Sequence, residues 1–387
     1  MNGSVCQAPL RIGVLFEFGT LNGGERSLLA VLDQLAPQNV QPFAVCPPGS
    51  PLAEELNQRH WKTISPPEHW TKGTLPPETV EFLNQWANEN ELHLLHANSL
   101  TMARRIGTIC PDLKLPVTGH VRDIMSLSAS SRAALQQLSG LVAVSEATRT
   151  ALLQQGFPSS KIKTIYNGID ASRFRTPEFR NEFRRELGLA DDALLAVNIG
   201  QICLRKGQDD FARAAVLLKD RMPNLHFLLV GQRHSTKPES IAFEEEVDAI
   251  FESAGLSDRY HRIPFHPKVS EVLSGADILV HSARQEPLGR VLLEAAACSV
   301  PIVATDVGGT PEILTHGVSA FLVPPNSSRA LAEGIEWVLG TPNRSREFSL
   351  AAEKTVREQF SVSRSAEAIF DYWCRTLTMS SHFPGRF

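Results

Sequence analysis

Two carboxylates, Glu286 and Glu294, frame the stretch Glu286-Pro-Leu-Gly-Arg-Val-Leu-Leu-Glu294, which runs on into Ala-Ala-Ala-Cys-Ser-Val-Pro-Ile-Val. The pattern reads as a loop entering a helix. Pro287 suits the first helical position, where its missing N–H would have had no intrahelical partner. Leu288 and Gly289 then present free backbone N–H groups at the positive end of the helix dipole, a site suited to phosphate. Gly289 lets a ligand approach the backbone closely. Glu286 just before the helix and Glu294 two turns into it can each accept hydrogen bonds from hydroxyls, on either side of that phosphate. Sugar hydroxyls on one side and ribose hydroxyls on the other describe a nucleotide sugar.

The elements that must position these groups are legible as a repeated strand, loop and helix. Short apolar runs suited to buried parallel strands occur at 11–16, 43–46, 92–96, 117–120, 141–144 and 163–166. A second series follows at 194–199, 225–230, 261–264, 278–281, 302–305 and 320–323. Helical periodicity lies between them, as at 27–35 and 145–155. Alternating βα units imply parallel sheets with right-handed crossovers. A chain of 387 residues suits two domains. The break falls in a polar stretch carrying Arg173, Arg175, Arg180, Arg184 and Arg185, read as a linker and a surface helix. The expected fold class is therefore α/β, with two Rossmann-like domains facing a cleft that lies beyond the carboxyl ends of the strands.

Composition excludes several other classes. A net charge of −4 does not point to nucleic acid. No apolar window is long enough for a membrane span, and the N-terminus lacks the pattern of a signal peptide. The six cysteines are scattered, without a C-x-x-C pair, which suggests neither zinc nor disulfides and suits a reducing cytoplasm, with room for peripheral membrane contact. No G-x-G-x-x-G fingerprint supports a nicotinamide enzyme.

The Glu286–Glu294 segment resembles the E-x7-E motif of retaining glycosyltransferases with the GT-B fold, in particular glycosyltransferase family 4 (the group 1 glycosyl transferases). The likeness runs from about Arg11 to Trp373 and is most specific from Asn198 to Pro324. It implies a first, acceptor-side domain over residues 1–175, a donor-binding domain over 176–362, and a C-terminal helix within 363–387 returning to the first domain. Ala366-Glu-Ala-Ile-Phe-Asp-Tyr-Trp373 is the candidate for that return. The implied activity is metal-independent transfer of a sugar from a nucleotide diphosphate sugar to a sugar, lipid-linked or small-molecule acceptor, with no cofactor. A nucleotide-sugar epimerase of the same fold and a non-catalytic nucleotide-sugar-binding relative are the alternatives.

Further residues take roles from this resemblance. Asn22-Gly-Gly-Glu-Arg26 is similar to the family's Gly-Gly-Ala-Glu-Arg element, which places Gly23 near the donor phosphate or sugar. His120, in His-Val-Arg-Asp123, matches a histidine facing the transferred sugar, with Asn98 and Arg122 nearby. Gly200-Gln-Ile-Cys-Leu-Arg-Lys-Gly207 resembles the Gly-Arg-x-x-x-x-Lys-Gly loop, so Lys206 contacts the diphosphate, and Arg205 substitutes for the arginine that Gln201 replaces. Phe265 falls near the nucleobase. Such a cation, and the absence of any Asp-x-Asp triplet, fit charge stabilisation of the leaving diphosphate without a metal. Glu286 binds the donor sugar and Glu294 the ribose, with Leu288 and Gly289 N–H groups on the diphosphate.

Overall fold

The computed structural model describes residues 9–36, 39–174 and 177–379. Arg175, read from sequence as part of the linker, and the chain beyond 379 lie outside them. The chain divides into two compact units, 1–168 with 362–387, and 169–361. The change of unit falls at 168/169 rather than 175/176 because Ile169 already belongs to the second unit, where its N–H donates to the Phe360 carbonyl at 2.9 Å.

The first unit holds β1 (Leu10–Leu15), β2 (Val40–Val45), β3 (Lys62–Ile64), β4 (Leu94–Ala97), β5 (Val117–Val121), β6 (Gly140–Ala143) and β7 (Ile162–Thr164). They form one parallel sheet in the order β3-β2-β1-β4-β5-β6-β7. The second unit holds β8 (Leu194–Ile199), β9 (Leu225–Val230), β10 (Tyr260–Ile263), β11 (Ile278–His281), β12 (Ile302–Thr305) and β13 (Phe321–Val323), again parallel, in the order β10-β9-β8-β11-β12-β13. Both orders reverse at one place, between β1 and β4 and between β8 and β11, the doubly wound arrangement whose ligands bind at the reversal. Central strands such as β4, β6, β11 and β12 are buried along their whole length, which is why they read as unbroken apolar runs. Strand β3 escaped the sequence reading because it is a short edge strand whose residues are largely exposed.

Helices cover the sheet faces. In the second unit Phe211, Phe227 and Phe251 meet with ring centroids 5.9–6.1 Å apart. The C-terminal helix Val362–Met379 packs against the Gly23–Leu35 helix of the first unit, with Trp373 fully buried. The Arg180–Glu186 helix lies at the surface, as read, with Arg184 buried on its inner side; Arg180 and Arg184 both pair with Asp277, at 2.6 and 3.0 Å, and both donate to the Gly275 carbonyl. No helix among the described residues is long and apolar enough to cross a membrane.

The C-terminal helix is thus an integral layer of the first unit. Trp373→Ala is expected to lower that unit's stability by about 3–5 kcal/mol, as read by chemical denaturation. A change below 1 kcal/mol would show that the helix is a dispensable cover.

Candidate functional site

In the second unit, the loops after β8 and β11 meet at the reversal of strand order. The loop after β8 makes a single 3₁₀ turn, Leu204–Lys206, and delivers Lys206. The loop after β11 delivers Glu286. The Lys206 Nζ lies 2.5 Å from Glu286 Oε2, and His281 Nε2 lies 2.9 Å from the same oxygen. Both the carboxylate and the imidazole are buried. Burial alone would raise the Glu286 pKa, but the Lys206 charge and the His281 hydrogen bond more than offset it, holding the carboxyl well below the usual range. Burial lowers the His281 pKa despite Glu286, so the imidazole is neutral and carries its proton on Nε2, as the donor to the carboxylate.

A polar chain fixes the backbone beneath this pair. Asn198 Nδ2 donates to the Val280 carbonyl and to Ser282 Oγ, and Ser282 Oγ donates to the Lys206 carbonyl at 3.1 Å. Arg284 grips the Leu204 carbonyl, Asp209 and Asp210 at 2.7–2.9 Å. Arg205 accepts at its carbonyl from the Arg284 and Gln285 N–H groups and sends Nη1 to the Gln285 carbonyl at 3.3 Å. The side chain of Arg205 therefore lies along the loop that ends in Glu286.

The helix after Glu286 starts later than its sequence suggests. It spans Arg290–Ala297, with Gly289 as N-cap at φ 102°, a backbone conformation that disfavours any side chain. Pro287 is thus a turn residue and not the first helical one; its fixed φ serves either place. The amides of Leu288, Gly289 and Val291 find no acceptor among the described residues. Gly309 supports the turn from below. Its N–H donates to the Glu286 carbonyl at 2.9 Å, and a Cβ there would sit 2.4 Å from the Pro287 carbonyl oxygen. Glu294 is buried one turn further along and pairs with Arg290 at 2.8 Å. Phe265, after β10, is 59% exposed.

The first unit has its own polar edge. Gly23 opens its helix behind the N-cap Asn22, whose N–H donates to Glu25 at 3.0 Å. His120 is buried on β5, and Arg122 Nη2 lies 3.0 Å from its Nδ1. A guanidinium can only donate, so Nδ1 accepts and the proton of the neutral ring sits on Nε2. That Nε2–H has no partner among the described residues, and neither has the amide of Asn98 or Nε2 of His96, all buried. Arg122 also donates to the Asn98 carbonyl, and its side chain lies against Gly24. Burial, then the charge of Arg122, lowers the pKa of His96 to about 3 and holds His120 well below 6.5. Buried polar atoms are rarely left unpaired without a ligand or water to meet them.

Two family descriptions match this chain. Glycosyltransferase Family 4 covers residues 21–173, and Glycosyl transferases group 1 covers 179–355. The chain belongs to this glycosyltransferase family. It is 30% identical to the D-inositol 3-phosphate glycosyltransferase of Actinosynnema mirum, over 60% of this chain and 54% of that protein. It is 28% identical to the alpha-maltose-1-phosphate synthase of Mycolicibacterium smegmatis, over 62% of this chain and 64% of the relative. The chain thus spans between about half and two thirds of these relatives' length. In fold it superposes on Anabaena Alr3699/HepE in complex with UDP and glucose, with TM-score 0.83 and 23% identity, covering 95% of this chain and all of that one. It also superposes on sucrose-phosphate synthase from Thermosynechococcus elongatus, with TM-score 0.80 and 18% identity, over 96% and 100% of the two chains. At these identities the likeness is one of fold, the two Rossmann-like units of GT-B enzymes.

Within the second unit the structure brings Lys206, Arg205, Glu286, Leu288 and Gly289 into one constellation. His281, Ser282, Asn198 and Arg284 belong to it and went unread, and Gly309, in a glycine turn that reads as architecture, supports it. The one available signal was position: His281 ends a central strand, five residues before Glu286.

The buried histidines set a pH dependence. With folded pKa values below 6.5, the unfolded chain takes up protons that the folded one refuses, so stability is full above about 6.5 and falls as pH drops below it. One pH unit below that value, His96 and His120 should each withdraw about 1 kcal/mol. Denaturation at both pH values checks this, and His120→Gln should lose about 1 kcal/mol less across the interval. An identical loss in both proteins would refute the assignment.

Proposed function

We propose that this chain is a retaining glycosyltransferase that holds a nucleoside diphosphate sugar in its second unit. The observation that carries the reading is the Lys206–Glu286–His281 cluster beside the amides of Leu288 and Gly289, which find no acceptor among the described residues. An ammonium and unpaired N–H groups suit a diphosphate. A carboxylate kept ionised suits sugar hydroxyls, which donate to it. Glu294, oriented by Arg290, accepts from the ribose, and exposed Phe265 offers its face to the base. His120 is a neutral hydrogen-bonding group that positions substrate through Nε2–H; its depressed pKa argues against a role as general acid.

In the reaction, the bond from the sugar's anomeric carbon to the β-phosphate oxygen breaks. A bond to the acceptor hydroxyl oxygen forms on the same face. The hydroxyl proton passes to the departing phosphate. Lys206 and the loop amides stabilise the charge that builds on that phosphate, and no divalent metal takes part. The fold neighbour crystallised with UDP and glucose supports the class of donor. The acceptor is a hydroxyl compound recognised by the first unit.

Glu286→Ala is expected to slow donor turnover by about two orders of magnitude, a loss of about 3 kcal/mol in the transition state. Affinity for the free nucleoside diphosphate should persist. Glu286→Gln, which keeps the volume, controls for folding. A variant that melts lower yet turns over donor at the parental rate would show that Glu286 is structural. Glu294→Gln should weaken nucleoside diphosphate binding by about 1.5–3 kcal/mol in calorimetry, and unchanged affinity would remove Glu294 from the site.

Donor hydrolysis is expected to continue after exhaustive chelation. Its loss, with rescue by magnesium or manganese, would overturn the metal-free mechanism.

A further inference from the structure

The first unit carries a second concavity, an open pocket of about 410 Å³ that shares no residue with the His120 edge. Thr101, Arg104, Arg105 and Thr108 line it from one face of the Leu100–Gly107 helix and the turn that follows. Their spacing of three, four and seven residues stacks them on that face. Ser130 and Ser131 line it from the first turn of the Ala129–Gln137 helix, where the helix dipole is positive. The two helices touch closely, since a Cβ on Gly107 would lie 2.2 Å from the Ala134 carbonyl oxygen.

No ion pair among the described residues compensates the charge in this pocket. Arg105 is bound by carbonyls alone: Trp70 and Gly73 at 2.8 Å, Lys72 at 3.2 Å, and His69. Those bonds order the 69–73 loop as a wall and leave the guanidinium's charge unneutralised. Arg104 reaches only the Thr101 hydroxyl, at 3.4 Å. Neither arginine forms an ion pair among the described residues, and no carboxylate lines the pocket. The carboxylate that feels both is Glu17, which is half-buried and accepts from Ser99 at 2.9 Å.

We infer that this pocket binds an oxyanion of the phosphate class, held by the Arg104 guanidinium and the surrounding hydroxyls. Guanidinium and hydroxyl donors match phosphate oxygens in number and geometry. If the transferase reading holds, the anion is a substituent of the acceptor; the anion site itself does not depend on that reading. The phosphate has two chemical sources, a soluble phosphorylated compound or a lipid headgroup.

The full chain, titrated with inorganic phosphate and followed by amide NMR, should show saturable shifts at 101–108 and 129–131. Arg104→Gln should weaken that binding roughly tenfold or more. Arg104→Lys should restore part of it, and donor hydrolysis should be unchanged in both. Vesicles of phosphatidylcholine with phosphatidic acid, against phosphatidylcholine alone, separate the sources. Arg104-dependent binding to the acidic vesicles assigns a lipid headgroup, and phosphate binding without vesicle binding assigns a soluble ligand. Equal phosphate binding by the parent and Arg104→Gln, or no binding by the parent to phosphate or acidic vesicles, overturns the proposal. Absence of donor hydrolysis in the parent would instead count against the transferase reading and leave the anion site standing.

Discussion

The second unit is organised around one buried ion pair, Lys206 with Glu286. Their side chains are only 14% and 8% exposed. Desolvating two such charges costs several kcal/mol, and a well-packed apolar pair would often do as well for stability. Removing one partner alone would be worse still, because it strands the other. The surroundings are consistent with a pair kept for use. His281 holds the same carboxylate oxygen, Ser282 holds the Lys206 backbone, and Gly309 holds the Glu286 backbone. A diphosphate entering beside Lys206 would meet an ammonium already fixed in place, and a carboxylate already ionised.

The pair exists because of strand order. Lys206 follows β8 and Glu286 follows β11, and these strands are neighbours only because the sheet reverses there. Eighty residues of chain separate the two side chains, yet the central strands fix both loop starts. The first unit repeats the device. Gly23 follows β1, Asn98 follows β4 and His120 ends β5, around the same reversal. The two edges differ in charge. The second unit presents a paired cation and anion. The first presents the neutral imidazoles of His96 and His120 and the amide of Asn98, with the part-buried Arg122 bound to His120 Nδ1 and the Asn98 carbonyl, an edge suited to the uncharged hydroxyls of a sugar.

Much of this was legible in the sequence, for physical reasons. Buried parallel strands are unbroken apolar runs, and twelve of the thirteen strands among the described residues coincide with such a run within a few residues. The E-x7-E spacing and the Lys206 loop pointed to two segments that the structure brings together through Lys206 and Glu286. Other features were hidden. The helix start shifted from Pro287 to Arg290 because Gly289 adopts a left-handed conformation that no spacing rule announces. The Arg290–Glu294 pair was visible as an i,i+4 spacing, but a carboxylate with a partner and one awaiting a ligand look alike in sequence. In the basic run at 173–185 the pairing was hidden, because Asp277, the partner of Arg180 and Arg184, lies over ninety residues away. His281 and Asn198 were missed for the same reason: their roles arise from contacts across strands.

The central claim is that the turn Glu286–Gly289 and the helix start at Arg290 form the donor's phosphate site. Hydrogen–deuterium exchange of the whole chain, with and without a nucleoside diphosphate, tests this most directly. The amides of Leu288, Gly289 and Val291 find no acceptor among the described residues and should exchange fast in the free protein. Saturating nucleoside diphosphate should slow exchange across this segment and around Lys206, and the Lys206→Ala variant should lose that protection. Tight binding that leaves residues 286–291 unprotected would contradict the account.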